Sequence, residues 1–368
     1  MVTLPTRADV VVIGGGVIGL STAYHLATAG VCDVVLVERD ELGSGSTCKA
    51  AGGVRAQFSD AVNVELGLRS LRTFETFRED FGQEIDLHQV GYLFLLDRAE
   101  DVTRFEKDVA LQNELGVPSR MVEIAEAKRL SPLIATDGLL AAAYSPTDGH
   151  CTPESVVLGY ATAARAAGAT LLRHTAVEGI ELDGTAVTAV RTTGGTIATN
   201  TVVCAAGPWS AAIGAMAGVD LPVTAERREI VVTEPVPGLD PRTAFTIDFA
   251  TTFYFHAEGP GLLMGMSDPE LLPEAVERRT PALSGVGIAS RWSGLYENTP
   301  DHNALIGEAE DVSRFLYATG FSGHGFLMGP AVGEVVRDLY LGRPPVVDVS
   351  ALDVRRFRDG SRPELNIV

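Results

Sequence analysis

Positive charge is scarce in this sequence. Its 368 residues carry 29 lysines and arginines against 48 aspartates and glutamates, a formal net charge of −19. Phosphate recognition needs a basic footprint, so this balance argues against a nucleic-acid partner, and against an anionic membrane surface for the same reason. Charge of one sign does keep a globular chain dispersed. Cysteine is scarce too: Cys32, Cys48, Cys151 and Cys204 lie far apart and show no metal-ligand spacing. They read as reduced thiols of a cytoplasmic protein, not as a zinc site or a disulfide framework. No apolar run has spanning length, because glycines interrupt the longest. Met1 to Asp9 is too short and too polar for a signal peptide. There is no internal repeat, heptad array or low-complexity tract. What remains is a globular chain long enough for two domains.

Glycine is plentiful, and its placement near the start carries the first functional signal. Val10 to Gly19 reads VVVIGGGVIG. A β-branched run stops at a glycine turn, Val17 and Ile18 open a helix, and a second apolar run, Val34 to Val37, ends on Glu38. In such a strand–turn–helix–strand unit, Gly14 allows the sharp turn. Gly16 lets backbone approach a pyrophosphate, and Gly19 lets helix and strand pack closely. The helix N-terminus offers free N–H groups to phosphate, and Glu38 is placed to accept from a ribose diol. This unit predicts dinucleotide binding.

The rest of the chain takes its elements from turn chemistry and periodicity. Arg39 to Arg55 is small and glycine-rich, and is expected to run as an extended loop across the ligand. Asp60 caps a long helix expected to reach Phe81. Gln89 to Leu96 reads as a strand, Ala99 to Leu115 as an amphipathic helix, and Ile124 to Leu130 as a short helix. Pro153 opens a helix to Ala167. Thr170 to Thr199 alternates between glycine turns and reads as a β-meander. Thr201 to Gly207 reads as a buried strand, and Pro222 to Met266 as β-rich. Pro269 to Pro281 reads as a surface loop with a short helix. Phe315 to Thr319 is a last strand, which leads through a glycine turn to a helix expected from about Pro330 to Leu341. The tail beyond Gly342 is charged and reads as peripheral.

Five segments together carry a specific resemblance: VVVIGGGVIGLSTAYHLA with Glu38, GSTCKAAGGVRAQF, VVCAAGPWS, WSGLYENTPDHNALIG and ATGFSGHGF. In order and spacing the chain resembles the D-amino-acid oxidase superfamily, in the branch that holds glycine oxidase, the sarcosine oxidases and dye-linked proline dehydrogenase β-subunits. The resemblance implies an α/β fold: a Rossmann-like FAD-binding domain split in sequence (1–88, 145–220 and 300–345), an antiparallel-β-rich α+β substrate domain (89–144 and 221–299), and the tail 346–368. It implies FAD, held without a covalent bond. By the same resemblance FAD is contacted by Gly14, Gly16, Val17, Ile18, Gly19, Glu38, Arg39 and Val177 towards the adenosine. Towards the ring system the contacts are Ser46, Thr47, Cys48, Gly53, Val54, Ala206, Gly207, Trp209, Gly323, His324, Gly325, Phe326 and Leu327.

The implied reaction is oxidation of the C–N bond of a small amino acid or N-alkyl amino acid by hydride transfer to flavin N5, giving an imine that water hydrolyses. Oxygen or another acceptor then takes the electrons, and homo- or hetero-oligomers are compatible with the branch. Gly294 stands where sarcosine oxidases carry the flavin-linking cysteine. Leu327 and Leu263 stand where they carry lysines, and Tyr296 where glycine oxidase has arginine. Arg55 is the first choice to anchor a substrate carboxylate, with Lys49 as another cation near the ring. Tyr254 and His256 belong to the strand expected to roof the pocket. Tyr296 is a candidate hydrogen-bond donor, and His324 lies inside the flavin-turn motif. Arg227 and Arg228 read either as strand-surface charges or as residues of the pocket mouth. Two other readings stay open: a 2-hydroxy-acid or glycerol-phosphate-type dehydrogenase, and a flavoprotein subunit or assembly factor with structural FAD.

Overall fold

A computed structural model of the chain describes residues 4–360 and 363–366. Its first layer is a six-stranded sheet. In order across the sheet the strands are Leu305–Glu308, Phe315–Thr319, Val202–Cys204, Val10–Ile13, Val34–Val37 and Thr170–Leu172. All neighbours run parallel except Leu305–Glu308, which is antiparallel to Phe315–Thr319. The strands are valine-rich and buried along nearly their whole length, as a sheet covered on both faces requires. Three segments far apart in sequence therefore meet beside the Val10–Ile13 strand. The glycine turn lies at its carboxyl end, where ligands bind in open α/β sheets.

Helices Val17–Thr28, Ala61–Glu75, Pro153–Ala166 and Gly325–Tyr340 cover one face. The Val17–Thr28 helix, called the turn helix below, packs against Gly325–Tyr340, the closing helix. They approach closely because Gly329 and Gly333 lie under Val17 and Ser21. A Cβ on Gly333 would lie 2.7 Å from the Ser21 backbone carbon.

The second layer is an eight-stranded sheet in the order Ile288–Asn298, Thr224–Thr233, Gly261–Met266, Phe253–Glu258, Phe245–Asp248, Tyr92–Leu96, Ala141–Ser145 and Arg120–Val122. Side chains alternate along its strands. Leu93, Leu95, Phe253, Phe255, Leu262 and Met264 share one hydrophobic core. Tyr92, Phe94, Ile230, Phe245, Ile247 and Tyr254 form another on the opposite face. That second face looks towards the glycine turn. No helix among the described residues is long and apolar enough to cross a membrane.

Several elements differ from expectation. The Arg39–Arg55 loop contains a 3-10 turn, Thr47–Lys49, and a short strand, Gly53–Val54. The helix capped by Asp60 ends at Glu75, because Thr76 leaves helical geometry and spends its hydroxyl on Arg72 O and Asp80. A separate turn, Phe77–Phe81, follows. Thr170–Leu172 is not part of the meander: it pairs parallel with Val34–Val37, and the meander proper begins at Val177. A three-residue apolar run cannot declare its partner. The closing helix starts at Gly325, five residues ahead of Pro330. Pro330 therefore sits inside the helix and does not open it. The tail is not peripheral, since Glu364 and Asn366 are buried. Glu364 accepts from Ser59 N (3.0 Å), Ser59 Oγ (2.6 Å) and Asn63 Nδ2 (2.9 Å).

Candidate active site

A cavity of about 580 Å³ runs between the two sheets, mid-range for a ligand pocket of roughly 300–1,000 Å³. Its floor is the glycine turn. Gly14 has φ +114°, and a Cβ there would strike the Ala205 carbonyl, so only glycine lets the ends of the Val10–Ile13 and Val202–Cys204 strands come together. Gly16 precedes the turn helix and has no side chain of its own to cap it. The Val17 N–H donates to Thr47 Oγ1 at 3.1 Å, which ties the 39–55 loop to the helix start. Glu38 Oε2 accepts from the Gly15 N–H at 2.7 Å and Oε1 from the Asp40 N–H at 2.8 Å. These bonds aim the carboxylate along the cavity edge. The Arg39 guanidinium stacks 3.8 Å from the Trp209 ring centroid and closes that end.

Most of the residues expected to contact a cofactor border this cavity: Gly14, Gly16, Val17, Ile18, Glu38, Arg39, Ser46, Thr47, Gly53, Val177, Ala206, Gly207, Trp209 and Gly323 to Leu327. Three do not. Gly19 packs under Gly14, where a Cβ would lie 3.1 Å from the Gly14 carbonyl carbon, so its part is to let the turn close. Val54 is buried in a two-stranded ladder with Gly149. Cys48 faces away towards Gly43, and burial pushes its thiol up to about 11.

At the other end the wall is the cavity-facing side of the eight-stranded sheet, met by Arg55 and His324. Arg55, Tyr254, Tyr296 and His324 all border this end of the cavity, though with different commitments. Arg55 is fully enclosed. It donates to the Gln57 carbonyl, to the Asn366 carbonyl (2.6 Å) and to His324 Nε2 (3.1 Å), and lies over the Phe58 ring. Three of its five N–H donors are committed to the protein, so its first task is to hold this corner together. Because Arg55 donates to Nε2, His324 carries its proton on Nδ1. Burial, reinforced by the Arg55 charge, holds the imidazole well below its usual pKa, hence neutral. His256 does not border the cavity. It is buried behind the loop, with Nε2 3.0 Å from Ala51 O, and burial lowers it to about 4.

Three tyrosines line this end, each seated on a glycine. A Cβ on Gly265 would lie 2.6 Å from the Tyr254 ring, one on Gly323 2.6 Å from Tyr296, and one on Gly53 3.2 Å from Tyr92. Burial raises all three hydroxyls above their usual pKa, so they stay protonated donors. Among the described residues no protein group hydrogen-bonds any of the three hydroxyls. Tyr92 and Glu297 also border the cavity, though neither is a candidate from the sequence, and so does Arg228, which is the pocket-mouth reading of its two. Arg228 has a readable signal: it shares a strand face with the buried Ile230, two residues on. Its guanidinium carbon lies 5.1 Å from the Tyr296 ring centroid, it pairs with Glu226, and its Nε has no partner.

A family model described as DAO, FAD dependent oxidoreductase, matches residues 9–339. The chain belongs to the DAO family of FAD-dependent oxidoreductases. Over 96% of its length it is 32% identical to sarcosine dehydrogenase, mitochondrial, of Homo sapiens, but it spans only 42% of that protein. It is 30% identical to glycine oxidase of Geobacillus kaustophilus, covering 95% of this chain and 97% of the oxidase. Among solved structures, L-proline dehydrogenase from P. horikoshii superposes with a TM-score of 0.91 at 34% identity, covering 98% of this chain and all of that one. The DAO-family fold thus accounts for both sheets. The glycine at the start of the turn helix, the glycine floor and the cavity's volume fit the family's FAD.

Proposed function

We propose that this chain oxidises the C–N bond of a small secondary or primary α-amino acid with FAD held in the cavity. The observation that carries this reading is the far end of the cavity, lined by Arg228 and three tyrosines with unpartnered hydroxyls beside an apolar wall of Ile230, Phe245 and Ile247. A carboxylate is the ligand such donors suit, since charge-assisted and hydroxyl hydrogen bonds replace its water. Sarcosine and proline, in the names of two relatives, are both secondary α-amino acids. The chain spans less than half of the first of these relatives, so the assignment rests on this site.

Gly14 and Gly16 leave room for a diphosphate at the turn helix, whose N-terminal N–H groups and dipole favour it. Glu38 offers its remaining lone pairs to a ribose. Bound there, FAD supplies the two-electron acceptor that takes hydride from the substrate carbon. Arg228, Tyr254 and Tyr296 bind and orient the carboxylate, which fixes the α-carbon's position. Arg55 holds His324, and His324 precedes the closing helix, so the pair sets where that helix begins. The apolar side chains exclude water, and, Glu297 with its bonds to Thr319 and Gly320 apart, none of the described residues that border the cavity from this wall is a carboxylate that would trap the amine as an ammonium.

The test is an anaerobic panel of D-, L- and N-methyl amino acids against the holoprotein, read by bleaching of the yellow colour. Bleaching by at least one amino acid, faster at higher pH as the substrate amine loses its proton, is the expected outcome. A panel that leaves the colour intact, or is outrun by 2-hydroxy acids, overturns the proposal.

A further inference from the structure

Glu297 follows Tyr296 in the Ile288–Asn298 strand and borders the opposite stretch of the cavity. Its Oε2 accepts from Thr319 Oγ1 at 2.9 Å and from the Gly320 N–H at 3.0 Å. A Cβ on Gly325, the first residue of the closing helix, would lie 3.4 Å from Oε1, and one on Gly207 3.7 Å from Oε2. The carboxylate is therefore wedged between the Ala206–Trp209 turn and the start of the closing helix. Among the described residues no arginine or lysine forms an ion pair with it. The ionisable groups on surrounding elements are Cys204, His324, Tyr296 and Lys49, the last on the Thr47–Lys49 turn that packs against this strand and borders the same cavity. Arg228 and Glu226 pair with each other on the Tyr296 side of their strand, Arg39 lies on Trp209, and Ala225 stands opposite Glu297.

We propose that Glu297 takes up one solvent proton when flavin bound in this cavity is reduced, and so ties the cofactor's potential to pH. The proposal rests on the FAD reading above. A neutral substrate amine that gives up hydride becomes an iminium cation, and the flavin gains that hydride with one negative charge. The N-terminus of the closing helix draws an anion to its end of the cavity, beside Glu297. A second negative charge brought beside a carboxylate that no described arginine or lysine pairs with raises the proton affinity of that carboxylate. Burial already pushes the carboxyl up to about 7, against the bonds from Gly320 and Thr319 that stabilise its ionised form. It is therefore poised to change state at ordinary pH. When the electrons leave for an acceptor, the proton leaves with them and the balance closes.

The experiment is a dye-equilibrated reductive titration of the FAD holoprotein without substrate, between pH 7 and 9, on wild type and Glu297→Gln. Glutamine keeps an oxygen for Thr319 and Gly320 but cannot take the proton. One further proton per two electrons is a tenfold change in equilibrium constant per pH unit, or about 30 mV. The wild-type potential is expected to fall by that much more per pH unit than the variant's. Parallel slopes overturn the proposal. Should the variant fail to fold, the reduced-minus-oxidised infrared spectrum of wild type decides. A new protonated-carboxyl band that moves on ¹³C-glutamate labelling supports the proposal, and its absence overturns it. Protein that takes up no flavin overturns the underlying FAD reading, whereas flavin bound with parallel slopes overturns only the role of Glu297.

Discussion

Replacing Arg228 with methionine separates two arginines that compete for the same role. Methionine keeps the apolar stem and removes the guanidinium. If Arg228 hydrogen-bonds the substrate carboxylate, one bond between charged groups is lost, about 1.5–3 kcal/mol. At 1.4 kcal/mol per factor of ten, that weakens substrate binding roughly 10- to 150-fold. Stability should barely move. Arg228 pairs only with Glu226, itself half exposed, and ion pairs of that kind contribute about 0–1 kcal/mol. Arg55→Met is the counterpart. It strips donors from the Gln57 and Asn366 carbonyls and from His324, all enclosed, at a cost of at least about 2 kcal/mol. The assay is anaerobic stopped-flow bleaching against substrate concentration, with melting temperatures alongside. Arg228→Met should raise the substrate dissociation constant, leave the melting point in place, and have no effect on an amine that lacks a carboxylate. Arg55→Met should melt early. Unchanged binding in Arg228→Met, together with lost binding and full stability in Arg55→Met, would refute the reasoning and return the anchor to Arg55.

Gly19→Ala should yield colourless or insoluble protein, because its Cβ would be driven into the Gly14 carbonyl, while Gly285→Ala, in open space, should stay yellow; absorbance of the purified proteins checks both. A chain ended at Gly360 loses the Glu364 bonds to Ser59 and Asn63 and the Asn366 carbonyl from Arg55, so it should melt earlier and release FAD more readily on dilution. His150 is buried beside His256, with rings stacked 4.1 Å apart, and burial pulls its pKa down to about 2. Below about pH 6.5 the unfolded chain binds a proton there that the native state refuses, so stability drains away as pH falls. His150→Phe should therefore lose less melting temperature than wild type between pH 7.5 and 5. Asp148 has the opposite sign. Burial pushes it up to about 7, so its contribution is complete below about pH 4 and lost as pH rises towards 7. Asp148→Asn should be more stable than wild type at pH 8, with the gap closing at pH 5, by thermal melts in matched buffers.

Local rules were enough wherever an element is decided by its own residues. The valine run, the three glycines and Glu38 predict a strand, turn, helix and strand, and that is how residues 10 to 38 fold. Asp60 caps its helix through the Val62 N–H at 3.0 Å, Pro153 opens another, and Ile124–Leu130 begins and ends where its pattern does. These follow from hydrogen bonds and side-chain spacing within a few residues. Spacing along the chain could not say which cation is free. Arg55 is spoken for by His324 and Asn366, 269 and 311 residues away, and a tail that reads as loose polar chain supplies one of those partners. Arg228 and Glu297 look like ordinary strand charges until the Thr224–Thr233 and Ile288–Asn298 strands are laid over the glycine loop, where Ser46 bonds to Leu295 and Trp292 to Lys49. Periodicity reports which face a residue takes. Only the packing of one layer on the other decides whether that face meets solvent, core or cavity, and so whether a charge there is screened, buried or available to a ligand.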